Sequence, residues 1–299
     1  MGMDILPGRL TKVDSQKSAV EQAARLTRKT KMVYLLNYLI ILLGAIVMIF
    51  PFVWMISTSF KPAPETVAFP PTFFPKNFTW SNYINAFKRI DILRLYLNTT
   101  FITLVRLVLT LYTSLLLGYI FAKFQFWGRN ILFYFILATM IIPFEVYMIP
   151  LYVMMVKVKL GNTYMAIALP TVFSAYCIFM VRQFMYSIPS ELIDAARIDG
   201  AGEFRIFHRI VIPLAQPVMV TLGALLFMWY WHDFLWPLII LTDSTKYVFS
   251  VGLATFVGEN FTEYGVIMAG STLATIPILA VFIALQKYII GGISLSGMK

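Results

Sequence analysis

Long apolar stretches alternate with short polar segments along almost the whole chain. Six stretches between consecutive charged residues reach the roughly 20 mainly apolar residues that a helix needs to cross a bilayer. Only Arg106, Glu145 and Asp233 place a charge inside these stretches. The pattern therefore predicts an all-α polytopic membrane protein with six transmembrane helices. We place the helices at about 32–60, 95–122, 130–156, 163–186, 214–241 and 264–286.

Composition supports a lipid environment. Hydrophobic residues make up 60% of the 299 residues and charged residues 13%, against roughly a quarter charged in an average soluble domain. A soluble fold could not bury this much apolar surface. The net charge of +10 does not indicate nucleic-acid binding, because the basic residues are spread over short segments and form no single basic tract.

The distribution of basic residues predicts the orientation of the chain. Six spans place both termini on the same side of the membrane. If that side is the cytoplasm, 15 of the 24 Lys and Arg residues lie in inside segments and 8 in outside segments, and such an excess marks the cytoplasmic face. We therefore predict a cytoplasmic N-terminal segment at 1–31, a transmembrane domain at 32–289 and a cytoplasmic tail at 290–299.

The inside segment at 187–213 is longer than the other inside connections and has a helix–turn–helix pattern. Ser190 suits a helix N-cap, and Gly200 and Gly202 suit a sharp turn that ends the first helix. A compact hairpin of this kind can dock in a groove of another protein and pass motion to the adjacent spans. It can equally lie as an amphipathic hairpin on the lipid headgroups, and the residues alone do not separate these two interpretations.

The spacing within this segment resembles the EAA loop of permease subunits of binding-protein-dependent ABC importers. The matching positions are Asp194, Ala195, Ala196, Gly200, Ile210, Ile212 and Pro213. Asp replaces Glu and Ile replaces Leu, and both changes are conservative. The resemblance implies that the loop contacts an ATPase through Glu191, Asp194, Ala195, Ala196, Asp199, Gly200, Phe204 and Pro213.

Other segments are similar to the maltose-type carbohydrate branch of that family. They are Ile149–Tyr152, Phe234–Leu238 and Gly291–Gly292. The resemblance implies a type I ABC importer permease fold in the cytoplasmic membrane of a bacterium, and a translocation subunit rather than an enzyme.

The same resemblance implies a set of partners. These are a second homologous permease, two cytoplasmic P-loop ATPase subunits and an extracytoplasmic sugar-binding protein. ATP and Mg would be used by the ATPase subunits, and this chain would bind no cofactor. The sequence agrees, because it contains no Gly-x-x-x-x-Gly-Lys-Ser/Thr phosphate loop. Two histidines in different segments and one cysteine also predict no metal site.

The charges inside the spans suggest a structural pair. Arg106 lies 12 residues from Arg94, and Glu145 lies 12 residues from Lys157. Both would therefore sit roughly 18 Å below the outer surface, on consecutive antiparallel helices. We predict an Arg106–Glu145 ion pair.

The fifth span contains a cluster of aromatic residues, Trp229, Tyr230 and Trp231, next to Asp233. Aromatic rings beside a carboxylate suit a sugar, which has apolar C–H faces and a rim of hydroxyls. The alternative is an aromatic belt at the outer interface. Because a lone carboxylate should not face lipid, we predict that these four residues line a substrate path.

Two other classes of protein are consistent with six spans. An ion-coupled secondary transporter, acting as a homodimer through Asp233 or Glu145, would leave the EAA-like loop unexplained. A passive scaffold would show no substrate flux and no dependence on ATP. Sequence motifs of integral membrane enzymes, such as Gly-x-Ser-x-Gly and His-Glu-x-x-His, are absent.

Overall fold

The structure, a computed structural model, describes residues 10–256 and 263–297, with side-chain surroundings described for 30–256 and 263–287. Residues 1–9 of the predicted N-terminal segment and 298–299 of the tail lie outside the described residues. Throughout the described part of the chain the regular elements are helices, without strands. The chain divides into two compact units, residues up to Ser57 and residues from Thr58 onward.

Fifteen α-helices occur among the described residues. They are α1 (Leu10–Ser59), α2 (Ala63–Thr66), α3 (Ser81–Arg89), α4 (Ile92–Lys123), α5 (Arg129–Ala138), α6 (Phe144–Lys157), α7 (Tyr164–Ala168), α8 (Ala175–Met185), α9 (Ser190–Ile198), α10 (Glu203–Ile206), α11 (Ile212–Leu214), α12 (Gln216–Trp231), α13 (Leu235–Ile240), α14 (Phe249–Ala254) and α15 (Tyr264–Gly297). Short 3₁₀ segments cover Thr139–Ile141, Leu169–Thr171 and Ser244–Lys246, and a π-helical turn covers Phe207–Val211.

Three helical segments are long and apolar enough to cross a membrane unbroken. They are Thr30–Ser59, Ile92–Lys123 and Tyr264–Lys287. Three further pairs of helices reach this length only together, so the described residues hold up to six spans by length and composition. The all-α polytopic fold class is confirmed.

The predicted third, fourth and fifth spans are not straight helices. The third turns by 102° between Ile141 and Phe144, where Pro143 has no N–H to continue the helical hydrogen bonds. The fourth bends by 43° where Ser174 caps a new helix by accepting the N–H of Cys177.

The predicted fifth span, 214–241, is also interrupted. Its helix α12 ends at Trp231, and α13 begins only at Leu235. At its other end, α12 turns by 74° from the helical segment Glu203–Leu214. The break between α12 and α13 contains Asp233, which therefore lies at a helix end rather than within a continuous helix.

One hydrophobic cluster connects the long helix α4 to the segment 187–213. Leu115 and Tyr119 of α4 pack with Val181 of α8 and with Ile206 and Phe207 of the loop. Gly118 allows α4 and α8 to approach closely, because a Cβ there would lie 2.4 Å from Cγ1 of Val181. The loop is thus packed onto the helices and is not a separate appendage.

Candidate functional site

The segment 187–213 forms the helical hairpin that its sequence predicts. Helix α9 ends at Ile198, and Gly200 follows with φ +79°, a left-handed conformation that glycine adopts without steric cost. Gly202, with φ −69°, precedes α10 in an extended conformation. The predicted N-cap is wrong by one residue: Pro189 holds that position, and Oγ of Ser190 instead accepts a hydrogen bond from Lys123 Nζ at 3.2 Å.

Most of the residues that the resemblance assigns to ATPase contact are accessible. The exposed ones are Glu191, Asp194, Ala195, Asp199, Gly200, Phe204 and Pro213. Ala196 differs, because it is buried in the cluster beneath the hairpin. Its small side chain lets α9 pack closely and does not present a contact to a partner.

Sequence reasoning missed the most exposed apolar residue of the hairpin. Ile198, at the end of α9, is 87% exposed, and Phe204 at the start of α10 is 75% exposed. Both flank the turn at Gly200, and we call these two residues the hairpin tip. Large exposed apolar side chains grouped on a small element are typical of a protein-binding surface.

Charged groups hold the two arms of the hairpin together. The guanidinium of Arg197 donates to Asp194 Oδ1 at 2.9 Å and to Glu203 Oε1 at 2.6 Å. The hydrogen bond to the Glu203 carboxylate raises the pKa of Arg197 above its usual value. We call these contacts of Arg197 with Asp194 and Glu203 the Arg197 clamp. All three side chains are partly exposed, so the clamp adds little to stability and mainly fixes the geometry of the hairpin.

Polar contacts also fasten the hairpin to α4. The Tyr119 hydroxyl donates to Glu203 Oε2 at 3.3 Å, and Lys123 Nζ donates to the backbone oxygen of Ile188 at 2.5 Å. His208 Nε2 lies 3.3 Å from the hydroxyl of Tyr112. A displacement of the hairpin would therefore be passed to α4 at three levels along that helix.

The predicted Arg106–Glu145 ion pair is wrong. Nη1 of Arg106 lies 2.8 Å from Oδ2 of Asp233, and the Arg106 side chain is only 5% exposed. Glu145 lies exposed in the first turn of α6. The prediction assumed a straight third span antiparallel to α4, but α5 and α6 are separated by a turn of 102°.

A polar network surrounds the Arg106–Asp233 pair. Nε of Arg106 donates to Thr171 Oγ1 at 3.3 Å, and the guanidinium lies 4.0 Å from the ring centre of Tyr230. Thr110 donates to the backbone oxygen of Thr171 at 2.7 Å and lies 2.9 Å from the Tyr230 hydroxyl. The network connects α4 to the broken fourth span, to the end of α12 and to the break that follows it.

Of the four residues predicted to line a substrate path, two line a cleft in the structure and two do not. Trp229 and Tyr230 line a cleft of about 860 Å³. Trp231 is buried and donates its indole N–H to the backbone oxygen of Ala274 at 3.0 Å. Asp233 is engaged by Arg106. The side chains of Trp231 and Asp233 are therefore bound to other parts of the protein, and neither residue lines this cleft.

Comparison with known proteins gives close sequence relatives. The arabinooligosaccharides transport system permease protein AraQ of Halalkalibacterium halodurans is 36% identical over 85% of this chain and 92% of its own length. The lactose transport system permease protein LacG of Rhizobium radiobacter is 34% identical over 89% of this chain and 97% of its own length.

A solved structure and a family model agree with these relatives. The crystal structure of a bacterial ABC transporter involved in the import of the acidic polysaccharide alginate matches with a TM-score of 0.77 at 24% identity, over 87% of this chain and 98% of that chain. At this identity the likeness shows the fold. Residues 114–294, more than half of the chain, match the family model described as binding-protein-dependent transport system inner membrane component. The chain therefore belongs to the family of inner membrane components of binding-protein-dependent transport systems.

Proposed function

We propose that this chain is one of two membrane-spanning subunits of an ATP-driven sugar importer. The observation that carries the proposal is the hairpin at 187–213, which combines the EAA-like spacing, an exposed apolar tip and fixed attachment to α4. The names of the sequence relatives, which transport arabinooligosaccharides and lactose, support a sugar as the substrate.

The hairpin tip would dock into a groove of a cytoplasmic ATPase subunit. Ile198 and Phe204 would be the apolar anchors, and the Arg197 clamp would keep α9 and α10 at a constant angle. ATP and Mg would bind to the ATPase subunits. Closure of the two ATPases would pull on the hairpins, and the contacts of Tyr119 and Lys123 would transmit that motion to α4.

The remaining partners follow from the same proposal. A second, homologous permease would complete the pathway, and an extracytoplasmic sugar-binding protein would deliver the substrate. The hairpin would face the cytoplasm, and so would both termini, in agreement with the excess of basic residues in the inside segments.

The ion-coupled homodimer receives no support from these observations. Of its two candidate carboxylates, Asp233 is already paired with Arg106, and Glu145 is exposed in the first turn of α6. It also gives no role to the hairpin tip.

Affinity purification from native membranes in mild detergent tests the proposal. We expect the wild-type chain to recover a P-loop ATPase and a second six-span permease, identified by mass spectrometry. Ile198→Glu should lower the recovery of the ATPase at least tenfold, because it places a charge in a desolvated contact, which is equivalent to about 1.4 kcal/mol or more of binding free energy. Recovery of the second permease should not change.

Trp127→Glu is the matched control. Trp127 is 96% exposed and belongs to another predicted inside segment, so the same kind of charge is introduced outside the hairpin. We expect full recovery of the ATPase. A wild-type chain that purifies alone or as a homodimer would contradict the proposed function.

A further inference from the structure

The cleft of about 860 Å³ lies between the helices of the membrane domain and has a mixed aromatic and hydroxyl lining. Its volume lies within the range of about 300–1,000 Å³ that is common for small-molecule sites. Tyr147, Tyr176, Trp229 and Tyr230 contribute rings from three different helices. The rings of Tyr176 and Trp229 lie next to each other, with centroids 5.6 Å apart.

Three of these aromatic residues retain unused hydrogen-bonding groups. Within the part of the chain that the structure describes, the Tyr147 and Tyr176 hydroxyls and the Trp229 indole N–H have no hydrogen-bond partner. The nearby tryptophans differ, because Trp231 and Trp236 donate their indole N–H groups to backbone oxygens at 3.0 Å. Trp229 lines the cleft and is 52% exposed.

Small hydroxyl side chains complete the polar lining. Ser174 lines the cleft, and its Oγ accepts the N–H of Cys177 at 3.3 Å. Thr139 and Thr171 also line the cleft, with their hydroxyls donating to backbone oxygens one turn back. Such oxygens can still accept a hydrogen bond from a bound hydroxyl.

The lining of the cleft carries no charged side chain among the described residues. The guanidinium of Arg106 lies behind Tyr230, 4.0 Å from its ring centre, and is already paired with Asp233. A carboxylate or phosphate in the cleft would lose its water without gaining a free cation, which is costly. A neutral ligand with apolar faces and a rim of hydroxyls would meet no such cost.

We propose that this cleft is a binding subsite for neutral saccharides, in which a sugar ring lies against Trp229 and Tyr176 and its hydroxyls bond to Tyr147 and Ser174. The inference rests on the proposed function and narrows its substrate to uncharged sugars. It also assigns to this subunit a direct contact with the substrate.

Transport by the complete importer tests the subsite. Proteoliposomes that contain both permeases, the ATPases and the binding protein are supplied with mixed oligosaccharides from hydrolysed neutral and acidic polysaccharides. The sugars taken up are identified by mass spectrometry. We expect neutral oligosaccharides inside the vesicles, and we expect Trp229→Leu and Tyr176→Leu each to lower their uptake at least tenfold at subsaturating concentration.

The controls separate the subsite from the wider function. Tyr134→Leu removes an exposed ring of α5 that is not among the cleft residues, and it should leave uptake unchanged. ATP hydrolysis stimulated by the unloaded binding protein should remain within twofold of wild type in every variant, because the hairpin is not altered.

Three outcomes would overturn the subsite while leaving the proposed function intact. They are uptake of acidic sugars only, neutral uptake that Trp229→Leu does not change, and loss of the second permease from the Trp229→Leu complex. The last outcome would identify the cleft as part of the contact between subunits. Failure to recover any ATPase with the wild-type chain would instead contradict the proposed function itself.

Discussion

Arg106→Ala is expected to destabilise the protein by about 3 kcal/mol, since it leaves the Asp233 carboxylate without its partner inside the membrane domain. The Arg106 side chain is 5% exposed and that of Asp233 is 22% exposed. Water can therefore solvate the unpaired carboxylate only in part. The substitution also removes the donor to Thr171 and the cation above Tyr230. Thermal unfolding of the purified complex in detergent measures the loss.

A double-mutant cycle tests the pairing itself. Asp233→Ala should be destabilising by a similar amount, and the double variant should cost less than the sum of both, with a coupling energy of about 2 kcal/mol. Glu145→Ala is the control, because Glu145 is exposed. It should change stability by less than about 0.5 kcal/mol and combine additively with Arg106→Ala. Additive effects of Arg106→Ala and Asp233→Ala would contradict the ion pair.

The number and class of the membrane helices could be predicted because hydropathy indicates how long each apolar segment is that must be buried in lipid or protein. It does not report the direction of the segment. Pro143 was a visible signal of a kink, but the size of the turn there, the bend at Ser174 and the break before Leu235 could not be predicted from hydropathy. The breaks arise from lost backbone hydrogen bonds and from local capping, which an apolar count does not register.

The partner of Arg106 could not be predicted from depth alone. Counting residues from the nearest surface charges assumes straight helices, and the third span turns by 102° before α6. Asp233 is 127 positions away in sequence, and only the packing of α12 against α4 brings it near. The sequence offers only two acidic residues within the predicted spans, Glu145 and Asp233, as partners of Arg106. The tertiary structure shows that Asp233 is the partner.

The hairpin at 187–213 was better predicted because its signals are local. The left-handed conformation of Gly200 follows from the need for a sharp turn between two short helices. The exposure of Ile198 was not predictable, since an apolar residue at a helix end can equally face the core. The spacing of the motif indicated where contact occurs, and the packing of α9 determines which side chains are free to make it.

Gly200→Pro is expected to abolish recovery of the ATPase with this chain, with at least a tenfold loss in affinity purification. Proline holds φ near −65°, whereas Gly200 has φ +79° and donates its N–H to the backbone oxygen of Arg197 at 3.0 Å. The turn must therefore open, the Arg197–Glu203 contact is lost, and the hairpin tip no longer has one defined shape. Recovery of the second permease should persist.

Two glycines of the same chain make this test specific. Gly202→Ala should be silent, since Gly202 has φ −69° and open space around it. Gly128→Pro introduces the same backbone conflict at φ +80° in another predicted inside segment, so it controls for general strain. We expect it to lower the amount of protein in the membrane while the ratio of ATPase to permease stays at the wild-type value. If Gly128→Pro lowers that ratio as strongly as Gly200→Pro, the ATPase responds to the overall fold of the permease, and the hairpin loses its special role in coupling.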